Sequence, residues 1–170
     1  LKLALSYIEM LAAGEMPLTE RLIRILHAVV MKGLTTEGAE SGSYRSDDLT
    51  TLADGVPTAA EVIPEMGTFG RWLALKPRSP EYESSPIVRA VFAHTRLLHI
   101  HPFREGNGRV ARLLLNLVLL RSGFPLVTLD GAQRAIYLRG LNAASGSGDS
   151  TILVGMTLDA VDGALSAYQP

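Results

Sequence analysis

The residues best suited to chemistry stand together in the run His101-Pro102-Phe103-Arg104-Glu105-Gly106-Asn107-Gly108-Arg109, with Arg112 one turn further on. A titratable base, a carboxylate, two glycines around an amide and the arginines Arg109 and Arg112 lie within twelve positions. The run separates two strongly apolar stretches of helical period, so it predicts a loop, 101–108, that opens a helix near Asn107. The first N–H groups of such a helix have no partners within it, and its dipole adds partial positive charge there. Gly106 and Gly108 remove side chains where a phosphate approaches the backbone, and Asn107 adds an amide donor aimed at the same spot. Arg109 and Arg112, three apart, share a helix face from which guanidinium forks reach more distal phosphates. Glu105 is the loop's only carboxylate and suits Mg²⁺, which takes oxygen ligands shared with a nucleotide. His101, with an ordinary pKa of about 6.5, suits general-base work on a hydroxyl, and Phe103 pins the loop to a core. Singly, these residues have plainer readings as solvated histidine, turn carboxylate and surface arginines. Their concentration at one helix start makes a polyphosphate site with a base beside it. It is not a Walker A loop, which needs longer glycine spacing and a Lys followed by Ser or Thr.

Helices must position that loop. The stripes Leu1, Leu5, Ile8, Leu11 and Leu22, Ile25, Leu26, Val29 predict two helices, the second ended by Gly33. A polar Gly/Ser-rich stretch follows over 35–48, and Asp54-Gly55 within Leu49–Pro57 predicts a hairpin. A third helix is expected from Ala59 to about Leu75, with Pro64 near its first turns and Pro77, Pro80 and Pro86 punctuating the loop after it. The fourth carries Ile87, Val91, Thr95 and Leu98 on one face and stops near Ile100, because Pro102 keeps His101 extended. The fifth, from about Asn107 to Ser122, is apolar almost all round, which predicts the centre of a bundle, and Gly123 is its stop. Two more helices, roughly 131–144 and 151–167, flank Ser145-Gly146-Ser147-Gly148. The fold class is all-α with one hairpin, in a single domain over 1–170.

The bulk properties narrow the classes. A chain of 170 residues that is 47% apolar and 19% charged is long enough for one sizeable core and ordinary for a soluble domain. A net charge of −1 carries no field directed at nucleic acid or an anionic membrane. No apolar run approaches the roughly 18 residues a membrane span needs. The absence of cysteine removes disulfide and thiol chemistry and fits a reducing compartment. The chain opens on Leu1 inside a helical pattern with no initiator Met, so it is expected to be a fragment of a longer protein. The expected location is cytoplasmic, with a secreted effector as the alternative parent.

From His101 to Arg112 the loop resembles the Fic family signature H-P-F-x-D/E-G-N-G-R-x-x-R at every defined position. The likeness extends to Ala93-His94, to the segment from Arg112 to Pro125, and to Gly42-Ser43-Tyr44-Arg45, similar to that family's G-x-F/Y-R. The resemblance implies a Fic-type helical bundle that transfers AMP from Mg·ATP to a Ser, Thr or Tyr hydroxyl of a target protein and releases pyrophosphate. It gives His101 the role of base and Glu105 that of Mg²⁺ ligand. Gly106, Asn107 and Gly108 become the anion hole, and Arg109 and Arg112 bind the β- and γ-phosphates. The hairpin, within about 45–58 and including Leu49, Thr50, Thr51 and Leu52, becomes a flap that docks the target by strand-like pairing.

Three departures from the family pattern matter. Doc-type kinases carry Lys where this chain has Gly108, which disfavours protein phosphorylation. The inhibitory motif S/T-x-x-x-E-G/N is missing, since Ser6-Tyr7-Ile8-Glu9 has the wrong spacing and Gly33 stands four before Glu37. Inhibition would then come from an upstream helix or an antitoxin chain. Leu138 stands where an aromatic often follows Tyr137, which leaves Tyr137 with two readings, a flank for adenine or packing. Rival functions are another nucleotide donor, removal of AMP, or a nucleotide-sensing module. Outside the loop, Trp72, Phe69 and Leu73 read as core, His94 as a structural hydrogen bond, and His99 as solvent-facing. Asp47-Asp48 reads as a solvated turn and His27 as a helix-surface or packing residue.

Overall fold

The computed structural model describes residues 2–14, 16–32, 41–49, 55–76, 85–129 and 133–167. They form seven helices: α1 (Lys2–Ala13), α2 (Glu20–Met31), α3 (Ala59–Leu73), α4 (Pro86–Ile100), α5 (Asn107–Arg121), α6 (Arg134–Gly146) and α7 (Thr151–Ser166). There is no strand among the described residues, so the all-α class holds. Of the expected flap, Leu49 and residues 55–58 are irregular, and Thr50, Thr51 and Leu52 lie outside the described residues, as do Leu1 and Gly33.

Local chemistry sets the helix ends near their expected places. The Thr19 hydroxyl accepts the Leu22 N–H at 3.4 Å to start α2. The Glu61 carboxylate reaches back to the Thr58 N–H at 2.7 Å at the start of α3, and Ser85 accepts the Val88 N–H at 3.4 Å before α4, whose first residue is Pro86. Past α5, Gly123 sits at φ +83° and the N–H groups of Gly123 and Phe124 return to the carbonyls of Leu120 and Leu119. That paired closure is a Schellman stop, which needs the left-handed conformation glycine adopts freely.

Helix α5 is the centre. Its Val110, Ala111, Leu114, Leu117 and Leu119 are buried, and it packs against α1, α2 and α4. A smaller cluster of Val91, Leu153 and Met156 joins α4, α6 and α7, and Gly140 is where α7 comes close, its Cβ position lying 2.9 Å from Leu153. The buried face of α2 departs from the expected stripe. Leu22, Ile23, Leu26, His27, Val30 and Met31 are buried, while Ile25 and Val29 are half-buried. The helix faces α1, α3 and α5 at once, so its covered arc is broader than one stripe and includes a histidine. No helix among the described residues is long and apolar enough to cross a membrane.

Candidate active site

His101 ends α4. Its N–H closes the last turn on the Leu97 carbonyl at 3.0 Å, and its backbone is left-handed at φ +48° and ψ +56°. The extended conformation expected from Pro102 is therefore not adopted: completing the helix end and presenting the carbonyl to Arg45 outweigh the local preference. A non-glycine residue there costs about 1–3 kcal/mol, and it persists only where the surroundings fix it. They do. Arg45, only 7% exposed, donates from Nε to the His101 carbonyl at 2.9 Å, and its own N–H donates to the Pro102 carbonyl at 2.9 Å. The same guanidinium reaches the Asp47 carbonyl at 3.0 Å and the Pro57 carbonyl, tying both ends of the segment 47–57 to the loop. The His101 Nδ1 lies 3.4 Å from the Leu98 carbonyl. A carbonyl can only accept, so Nδ1 carries the proton and Nε2 is the basic nitrogen. Burial lowers the His101 pKa from 6.5, the Leu98 bond opposes the shift, and the Arg45 charge adds to it. The ring is thus neutral near pH 7, as a base must be.

The middle of the loop is held from α2. Phe103 is fully buried, stacked on His27 at 3.8 Å with 6° between the planes, and tilted against Tyr44 at 5.6 Å. His27 accepts the Gly42 N–H on Nδ1 at 2.8 Å, and its Nε2 lies 3.1 Å from the Glu105 carbonyl. Burial lowers its pKa, the bond to Glu105 opposes that, and the Arg109 charge adds to it. Asn107 is 2% exposed, and its side chain does something other than the expected outward donation. Its Oδ1 accepts the Phe103 N–H at 3.0 Å and its Nδ2 donates to the Phe103 carbonyl at 2.7 Å. A buried amide satisfies itself first on the nearest backbone pair. What Asn107 offers an anion is its backbone N–H, at the first position of α5.

The two glycines differ. Gly106 is the N-cap of α5 at φ +79°, and a Cβ there would lie 2.8 Å from the Met31 Sδ. The protein itself requires it. At Gly108 the atom of the described residues that a Cβ would meet is the Arg112 Nη1, at 3.7 Å, so their packing does not demand a glycine. Its missing side chain leaves room for something outside the chain. Arg109 is half-buried and Arg112 exposed, and both line a cleft of about 570 Å³ with Lys32, Val29, Asn116 and Leu129. A second cleft of about 530 Å³ borders His101, lined by Val56, Leu98, Leu141 and Asn142 among others. Glu105 is half-buried beside the helix start. Among the described residues no three His, Cys, Asp or Glu side chains gather into a metal cage.

Several other residues fall into place. His94 is 1% exposed and bonds the Tyr137 hydroxyl at 2.8 Å, the structural hydrogen bond expected of it. Burial drives its pKa down to about 4, the backbone of Ala111 opposing. Tyr137 spends its hydroxyl on His94 and packs with the cluster of Val91, Leu153 and Met156, which favours its packing reading. Burial raises its pKa, and the adjacent Arg112 opposes that by charge and a hydrogen bond. His99 is half-buried at the second cleft. The Asp47-Asp48 turn is occupied: Asp47 pairs with Arg104 at 2.8 Å and Asp48 accepts the Ala59 N–H at 2.6 Å. Sequence reasoning missed three supports, the His27 clamp, the Arg45 clamp, and Asn116, which holds Val127 by bonds of 2.8 and 3.0 Å. The visible signals were a histidine amid the apolar positions of α2 and Arg45 at the end of the G-x-F/Y-R likeness, though neither named its partner.

The arrangement agrees with comparison to known proteins. The model of the Fic/DOC family matches residues 17–119. The chain is 33% identical over 168 residues to "Protein adenylyltransferase Fic" of Drosophila ananassae, covering 98% of this chain and 32% of that protein. It is 43% identical over 107 residues to the protein of the same name from Nematostella vectensis, covering 62% of this chain and 24% of the other. It thus spans about a third or less of the length of these curated relatives. Fic-1 from C. elegans shares the fold with a TM-score of 0.81 at 31% identity, over 98% of this chain and 48% of that one. The matched segment holds α2, the Arg45 clamp, the loop and most of α5, and the chain belongs to the Fic/DOC family.

Proposed function

We propose that this domain transfers AMP from Mg·ATP to a hydroxyl of a protein, releasing pyrophosphate. The observation that carries the reading is the neutral His101, its Nε2 left basic, beside a helix start where Gly108 leaves room and Arg109 and Arg112 line a cleft. The relatives named protein adenylyltransferase support it. In this reading the first N–H groups of α5 take the α-phosphate, and the two arginines take the β- and γ-phosphates. The nucleoside lies in the second cleft, between Val56, Leu98 and Leu141, with Asn142 available to its polar edge. Glu105 would hold a Mg²⁺ from the protein side, and such an ion would neutralise phosphate charge. His101 Nε2 takes the target hydroxyl's proton. The oxygen forms its bond to the α-phosphorus as the bond to the β-phosphate bridging oxygen breaks, and that electron pair leaves with pyrophosphate. The target Ser, Thr or Tyr is docked on the segment that Arg45 closes.

Parallel reactions with ATP labelled on the α- or the γ-phosphate test this directly. Label on a protein from the α-position only, reduced about 10²–10⁴-fold in His101→Ala with ATP binding retained, is the expected result. Label from the γ-position would make the domain a kinase and end the reading.

A further inference from the structure

One side chain that the transfer reading leaves without a task meets the loop at its most flippable peptide. His27 is 4% exposed on α2, and its Nδ1 accepts the Gly42 N–H at 2.8 Å. With Nδ1 used as an acceptor, the neutral ring carries its proton on Nε2, and the 3.1 Å contact to the Glu105 carbonyl is a donated hydrogen bond. A trans peptide is planar, so fixing the Glu105 carbonyl toward His27 turns the Gly106 N–H to the opposite side. Gly106 stands at φ +79°, and glycine is the residue at which a peptide flips between turn forms at least cost. A hydrogen bond to the Glu105 carbonyl is what holds such a plane, and His27 supplies one.

We propose that His27 is a positioning residue of the phosphate site. By donating to the Glu105 carbonyl it locks the Glu105–Gly106 peptide so that the Gly106 N–H faces away from α2 and joins the N–H groups that open α5. This rests on the reading of that helix start as a phosphate site. The stack on Phe103 fixes the ring plane, and the Gly42 bond fixes the tautomer, so one imidazole sets both the direction and the donor. His27 touches no substrate atom. It acts through the backbone.

The test uses the ¹⁵N-labelled chain titrated with inorganic pyrophosphate and followed by amide spectra. Three variants separate the contacts. His27→Gln places an amide nitrogen where Nε2 stands, His27→Asn can serve Gly42 only, and His27→Phe keeps the stack without either bond. The expected result is a Gly106 amide that shifts with pyrophosphate in the parent chain and in His27→Gln. In His27→Phe and His27→Asn it fails to respond, and affinity falls about tenfold. A folded His27→Phe with the parent's Gly106 response overturns the proposal, as does equal loss in His27→Gln and His27→Phe. Should His27→Phe not fold, the nitrogen shifts of His27 in the parent chain decide: a proton on Nδ1 overturns the lock. If pyrophosphate shifts no amide from Gly106 to Arg109 in the parent chain, the phosphate site itself is wrong, a failure distinct from losing only the His27 effect.

Discussion

The two halves of the loop are built on opposite plans. From His101 to Asn107 the loop is tied into the protein by hydrogen bonds to Arg45 and His27 and by the Asn107 side chain folding back on Phe103. From Gly108 to Arg112 little packs against the glycine, and the guanidiniums of Arg109 and Arg112 line a cleft. The held half fixes His101 and the direction of the backbone. The open half presents its charges to the cleft. Such a division suits a site whose catalysis is positioning plus charge stabilisation, because the geometry is set before the ligand arrives and needs no reorganisation during the reaction.

The contrast can be broken from the held side first. Arg45→Ala removes the donor to three backbone carbonyls and should cost about 4 kcal/mol, read as a fall in denaturation midpoint. Transfer should fall with it, since His101 then loses what keeps it left-handed. A variant as stable and active as the parent would mean that the clamp is decorative.

The next effect concerns a brace behind the open half. His94 holds Tyr137, which lies against Arg112. The folded-state pKa of His94, about 4, is below the ordinary 6.5, so between those values the unfolded chain binds a proton that the folded chain refuses. Stability from this group is complete above about pH 6.5 and is lost as pH falls toward 4, by no more than about 3 kcal/mol. Unfolding curves across that range should be flatter with pH in His94→Gln than in the parent. Equal slopes would remove His94 from the account.

The sharpest test is the smallest. Gly106→Ala must adopt a left-handed backbone and should cost about 1–2 kcal/mol. Gly108→Ala should cost nothing in stability and gain up to about 1 kcal/mol of helix propensity, yet weaken ATP binding because its Cβ enters the open space. Paired melting and ATP titrations measure both. If Gly108→Ala bound ATP as the parent does, the space over the helix start would not be the phosphate path.

The loop and the helix that follows it were legible because their information is local. The glycine pair and the apolar run of α5 act through backbone conformation and residue spacing, which a sequence displays directly, and Pro102 marks the end of α4 although not the left-handed turn of His101. The stop at Gly123 is legible for the same reason. The direction of the Asn107 side chain was not, because outward donation and inward bonding to Phe103 are both open to an Asn at a helix start, and only the burial of that position decides.

By itself the sequence determined the seven helical segments, the central place of α5, and which side chains gather at its start, since periodicity, proline and glycine fix those through short-range sterics. Only the tertiary structure decided what holds them in working order. His27 lies far from Glu105 in sequence, and Arg45 far from His101, and nothing in either neighbourhood announces the bond. Hydrogen bonds between distant segments exist only once packing has removed water and brought donor to acceptor, so they are properties of the fold.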